Sequence, residues 1–347
     1  MSYNRPSTPR VYMDRLSYDI ANGFRTISNY TIIQDDGSTA VTFDGGQIED
    51  LFDLRPTNYA TIANTTAKFY INLDTGMGTD ATAETNFIAI LGHNFHTSDA
   101  TLRVQYSDTS DFSSGVTTAT TDCTRIINAA VDGNTNYVDP ASNGWTLLTW
   151  TDDGSAGNRY KRITIEDDDG AGSSFATDVK IGAIMMGEYI DFPNSPDLSV
   201  GFNIDYDGTN IVSSAGGSTF ANTSHLGSPP WGASNPWVLS GEDTQVYKMA
   251  RHYGRRKYNM NFSYVSDTDL FLSNMHAAHG AMIDGSDLYS QFINKALGSH
   301  LPFLFTIDKD STDEGDYGLY RLADGGLKST QTANRFWNVG LNLVEHW

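Results

Sequence analysis

The chain has 347 residues, long enough for two domains with a sizeable core in each. Asp and Glu number 42 against 22 Lys and Arg, a net charge of −20, which favours solubility and repels nucleic acid and anionic membranes. The single cysteine, Cys123, excludes an intrachain disulfide framework, and no window approaches the roughly 18 to 20 apolar residues of a membrane span.

The first residues, MSYNRPSTPRVYMDRLSYD, contain no apolar run resembling a signal peptide, so the expectation is a chain made and assembled in the cytoplasm. With Pro6, Pro9 and little periodicity, residues 1–28 read as an extended arm that packs on a neighbour or stays mobile. From Tyr30 onward short apolar runs recur at strand length: Tyr30 to Ile33, Ala67 to Leu73, Asn86 to Leu91, Thr101 to Tyr106, Trp145 to Trp150 and Tyr160 to Ile165. Between them lie Asp-Gly and Gly-Gly turns such as Asp35-Asp36-Gly37, Asp44-Gly45-Gly46 and Asp132-Gly133-Asn134, which supply residues tolerant of positive φ. Thr101 to Tyr106 alternates cleanly, placing Leu102, Val104 and Tyr106 on one face. Phe87 to Leu91 is apolar throughout, as a strand buried on both faces must be. Residues 29–187 are therefore predicted to form a β-sandwich.

Pro193 and Pro196 interrupt the pairing pattern and mark a boundary near 188. The second unit, 188–347, opens on a strand from Leu198 to Tyr206 and continues into a long Gly, Ser, Pro and Trp-rich loop from Gly216 to Pro236. Ser266-Asp267-Thr268-Asp269 is a capping box that starts a helix over 267–279. A second helix, 286–297, carries the stripe Leu288, Phe292, Ile293 and Leu297 and stops at Gly298. Leu301 to Ile307 and Trp337 to Val344 return to strand patterning. The fold class expected is mainly β with a short helical insertion.

Candidate chemistry is sparse. His93 and His96 have a His-x-x-His spacing, but the pair follows a strand and precedes a loop, where local hydrogen bonds account for both. Asp152 and Asp153, or Asp167, Asp168 and Asp169, offer hard oxygen ligands for Ca²⁺ without the spacing of an EF-hand, and solvated turns explain them. No metal site and no cofactor are expected. Gly-x-Ser-x-Gly, P-loop, His-Glu-x-x-His and dinucleotide fingerprints are all missing, so the chain is expected to be no enzyme. Lys248, Arg251, Arg255, Arg256 and Lys257 form one basic cluster in an acidic chain, with Tyr253 and Tyr258 interleaved. The net charge argues against nucleic acid, leaving either an acidic rim of a neighbouring subunit or an exposed strand edge guarded by charge. Trp231, Trp237 and Tyr247, beside the long loop, stack on sugar rings, anchor an interface or anchor the loop to the core.

Two blocks carry a resemblance. Asn86 to Asp108, NFIAILGHNFHTSDATLRVQYSD, resembles the galactose-binding-like jelly rolls of phage virion proteins. Ile181 to Phe192 (IGAIMMGEYIDF), Pro196 to Gly201, Arg255 to Phe262, Leu301 to Phe305 and the final strand resemble, in order and spacing, a bacteriophage distal-tail or tail-tip protein. The resemblance implies a jelly roll followed by a tail-type β-barrel or sandwich. It also implies a virion location, and a ring of like subunits, six-fold or three-fold, in contact with neighbouring tail proteins. A carbohydrate-binding adhesin module recognising host glycan is the alternative, and a glycan-degrading enzyme ranks below both.

Overall fold

The computed structural model describes residues 7–76, 85–131, 136–151, 158–168, 174–206, 209–223, 231–232, 237, 254–271, 287–323 and 326–346. In chain order the strands of the first half are β1 (Arg10–Asp14), β2 (Tyr30–Gln34), β3 (Phe43–Gly45), β4 (Ala60–Ile62), β5 (Lys68–Asp74), β6 (Phe87–His93), β7 (Ala100–Ser107), β8 (Thr117–Thr118), β9 (Cys123–Ile127), β10 (Ala129–Val131), β11 (Val138–Pro140), β12 (Gly144–Trp150), β13 (Tyr160–Asp167) and β14 (Val179–Ile181). They continue as β15 (Ala183–Asp191), β16 (Gly201–Asp205), β17 (Thr209–Ser213), β18 (Thr219–Thr223), β19 (Arg255–Ser266), β20 (Phe303–Thr306), β21 (Tyr317–Leu322), β22 (Lys328–Ala333) and β23 (Phe336–Glu345). The protein is mainly β, with antiparallel sheets and a few short helices, as the turn-rich composition implies.

One sheet of eleven strands forms the backbone of the molecule, in the order β16-β19-β23-β21-β20-β1-β15-β6-β12-β9, with β22 beside β23. A seven-stranded sheet, β10-β11-β7-β13-β5-β2 with β8 beside β7, covers one end of it. The alternation read in β5 and β7 is realised there: Phe69, Ile71, Leu73, Leu102, Val104 and Tyr106 point inward and meet Ile88 and Ile90 of β6, Leu148 of β12, and Ile184 and Met186 of β15. The predicted sandwich is this layer pair. On the far side of β6, Phe87, Ala89 and Leu91 join Trp145 and Leu147 in a second core with Tyr12, Leu304, Tyr317 and Leu319. Both faces of Phe87–Leu91 are thus buried, as its uninterrupted apolar run demands.

A third core lies under the C-terminal strands, where Met260, Phe262, Phe303, Phe305, Leu341 and Leu343 pack with Leu288, Phe292 and Ile293. The last three come from the predicted second helix, which is π-wound over Tyr289–Asn294 and ends where Leu297 and Gly298 take positive φ. The first predicted helix begins as expected, with Ser266 Oγ accepting from Thr268 N, but it spans only Asp267–Leu270, because Phe271 is extended at φ −128° and ψ 149° and ends it; residues 272–279 lie outside the described set. The sheet does not close, so the barrel form of the C-terminal fold is not realised. β16 and β9 end the sheet order.

Residues 10–21 correct the reading of an N-terminal arm. β1 sits in the middle of the long sheet, paired antiparallel to β15 from Arg10↔Asp191 to Asp14↔Gly187 and to β20 from Arg10↔Thr306 to Tyr12↔Leu304. All five residues are buried. A strand buried on both faces shows no alternation, and a five-residue one preceded by Pro6 and Pro9 shows no length either, so its sequence has the look of coil. Asp14 then caps the helix Arg15–Ala21, its carboxylate accepting from Leu16 N at 3.2 Å and Ser17 N at 3.0 Å, and from Met186 N at 3.0 Å. Burial pushes this carboxyl up to about 6. The boundary expected near 188 falls within β15.

Candidate functional site

Strand alternation divides the basic cluster that the sequence presents as one patch. Arg256 turns inward: Nε and Nη2 donate to Glu345 Oε1 at 2.9 and 2.7 Å, and its backbone N to Glu345 Oε2 at 2.9 Å. Nη1 and Nη2 also reach the carbonyls of Gly315 at 3.0 Å and Tyr317 at 2.8 Å. Glu345 is fully buried, so the pair is an internal bolt joining β19, β23 and the turn before β21. That corrects the assignment of Arg256 to a subunit interface. Lys257 faces the other way and is satisfied in its own chain by Asp205 Oδ2 at 2.5 Å, across β19 and β16. Arg255 stands opposite Asp205 in the same register. Lys248, Arg251 and Tyr247 lie outside the described residues.

The tryptophans are corrected as well. Trp231 and Trp237 are buried, ring edge to ring face at 4.9 Å, with Trp231 at 5.1 Å from Trp145, whose Nε1 donates to Trp231 O at 3.2 Å. Rings enclosed in a core present no face for a sugar to stack on. Their burial in the core fits the plainest of the three roles open to them in the sequence, anchoring rather than binding.

His93 is fully buried, stacked on Phe95 at 4.4 Å; Nδ1 accepts from Phe95 N at 3.3 Å, which leaves Nε2–H to donate to Thr146 Oγ1 at 3.0 Å. Burial pushes its pKa down to about 3. His96 is exposed on the next turn, so the two rings do not converge. Asp152, Asp153 and Asp169 lie outside the described residues; among the described residues no three His, Cys, Asp or Glu side chains gather as a metal cage would require.

What the structure does bring together is a set of apolar side chains facing solvent. β16 is the last strand of the long sheet and, among the described strands, pairs only β19. Phe202 lies opposite Tyr258, the ring centroids 5.1 Å apart, and Ile204 opposite Arg256, so both occupy the face of the sheet that carries the third core. Neither is covered as its neighbours are: Phe202, Ile204 and Tyr206 are 52%, 50% and 55% exposed. Gly254 makes room for them, since a Cβ there would sit 2.5 Å from Ile204 Cγ2 and 3.1 Å from the Tyr206 ring. Beyond them β17 and β18 form a hairpin that pairs with no other described strand, turned by Ser214 N→Ser218 O at 2.8 Å and by Gly217 at φ +85°. Ile211 and Val212 are adjacent and so point to opposite faces, yet both are exposed, as is Phe220. The sequence shows the Leu198 to Tyr206 strand, but alternation reads the same whether the apolar face is covered or bare.

No family model matches the chain, and no curated protein matches it. Among solved structures it is similar to chitosan-binding module 1 of a chitosanase/glucanase from Paenibacillus sp. IK-5, at 14% identity and a TM-score of 0.30, over 46% of this chain and 93% of that one. A selenomethionine-labelled point mutant of the same module is similar at 13% identity and the same TM-score, over 46% of this chain and 92% of that one. At a TM-score of 0.30 the likeness bears on neither fold nor function.

Proposed function

We propose that the chain is a structural subunit that works by binding further copies of itself, as a ring component at the tip of a bacteriophage tail. The observation that carries the assembly reading is the bare apolar arm of β16, β17 and β18. A two-stranded ribbon alone is marginally stable in water, and one with apolar residues on both faces gains most of its stability by being covered. Phe202, Ile204, Tyr206, Ile211, Val212 and Phe220 are all half to two-thirds exposed, a concentration of bare apolar side chains that marks an interaction surface. A second copy of the chain is the occupant, and head-to-tail use of such an arm closes a ring when the rotation permits. The tail-tip position, with neighbouring tail proteins as partners, is supported by the resemblance of the ordered blocks from Ile181 to Val344. Host-glycan recognition by Trp231 and Trp237 loses its support with their burial.

Light scattering on the purified full chain tests the reading. The expected result is a discrete closed oligomer that falls to monomer, with its circular dichroism unchanged, when Ile211, Val212 and Phe220 are replaced together by Ser. A wild-type chain that stays monomeric at about 100 μM, well above micromolar affinity, overturns self-assembly through this arm.

A further inference from the structure

On the face of the C-terminal strands opposite to Phe202 and Ile204, β19 and β23 place Asn259 opposite Asn342 and Asn261 opposite Gly340. Asn338 follows, with β22 alongside. Together they line a groove of about 300 Å³. Asn and Gly are both depleted in strands because they pack poorly on a pleated surface, so four amides and a glycine at neighbouring positions weaken the sheet without adding to the core. Packing does not require Gly340 either: its φ is ordinary, and a Cβ there would meet nothing nearer than Asn261 Oδ1 at 3.5 Å. A glycine that neither the backbone nor its neighbours demand marks a place where something else comes close.

Two exposed aromatics lie near Asn338 in the strand register. Phe336 lies two residues before Asn338 on the same face of β23 and is 44% exposed. Across from Asn338 a bulge sets Ser263 and Tyr264 against one residue. Tyr264 takes φ +59°, unusual for an aromatic, and is 68% exposed, while its backbone N donates to Asn338 Oδ1 at 3.4 Å. The side chains of Asn259 and Asn261 make no hydrogen bond among the described residues. The amides of Asn259 and Asn261 each offer a donor and an acceptor in one plane, the pairing that vicinal hydroxyls need, and the lining holds no carboxylate and one ammonium, Lys328. Polar groups of both senses and a lining with a single charge suit an uncharged polyhydroxylated ligand. We propose that this groove binds a short neutral oligosaccharide.

The test is titration of the full chain, by calorimetry or ligand-observed NMR, with neutral tetrasaccharides of glucose, mannose, galactose and N-acetylglucosamine, each to about 10 mM, beyond the millimolar range of weak binding. At least one is expected to saturate. Asn259→Ala with Asn261→Ala, and separately Gly340→Leu, which fills the groove at a position the backbone accepts, should each weaken it about tenfold or more. Thermal midpoint and oligomer size should stay as in wild type. A monomeric arm variant should bind as well as wild type, which separates this site from assembly. No saturation by any of the four sugars, or binding that survives both groove variants, overturns the proposal and leaves the amides as a solvated sheet face.

Discussion

At the scale of single residues the internal Arg256–Glu345 pair is the most exposed to test. Both charges are withdrawn from water and depend on each other, so removing one strands the other. Arg256→Glu is expected to destabilise the fold by about 3–5 kcal/mol, read as a lower urea midpoint, whereas Lys257→Gln, whose partner Asp205 is half exposed, should cost less than about 1 kcal/mol. Equal effects of the two would show that Arg256 is not internal. His93 gives a pH test. Its folded pKa is depressed to about 3 from the ordinary 6.5, so the unfolded chain takes up a proton that the folded one refuses. Stability is lost as pH falls below 6.5, by about 2 kcal/mol at pH 5. Asp14 acts in the opposite sense: with its folded pKa raised to about 6, its contribution weakens as pH rises from the ordinary carboxylate range toward 6. Comparing wild type with His93→Gln isolates the histidine, and their difference in stability should shrink by about 2 kcal/mol from pH 7 to pH 5. A difference that does not change with pH would mean that His93 protonates without cost.

At the scale of elements the contrast is between β1 and the hairpin β17–β18. β1 is paired along its whole length to β15 and over Arg10–Tyr12 to β20, with five buried residues; the hairpin has only its own pairing among the described strands. Hydrogen exchange should therefore protect the amides of Val11 and Met13 to nearly the global stability, and leave the amides at positions 210 to 212 close to unprotected in the monomeric arm variant. Protection of the hairpin in the assembled wild type would locate it in the interface, and fast exchange there in both states would exclude it.

At the scale of the whole molecule, a net charge of −20 makes every copy repel every other, while the arm that draws them together is apolar. Salt from about 0.05 to about 0.5 M should then strengthen self-association, since it screens the repulsion and leaves apolar burial intact. This is the reverse of what a basic cluster facing an acidic rim would give, and sedimentation across that range distinguishes them. Dissociation by salt would restore a charge-paired interface.

Sequence alone determined the sandwich strands, because covering one face of a sheet forces the alternation seen in Leu102, Val104 and Tyr106, and covering both forces the apolar run from Phe87 to Leu91. It determined the start of the helix at Ser266 through capping chemistry, which is local. Only the tertiary structure decided where Arg10 to Asp14 belongs, since a five-residue strand between two others far from it in the chain carries no local mark of its partners. The same holds for which member of the basic cluster is internal, for the burial of Trp231 and Trp237, and for the bare face of Phe202 and Ile204. An amino-acid pattern records that a side chain is apolar or charged; whether another part of the chain arrives to cover or pair it is settled by contacts between residues far apart in sequence.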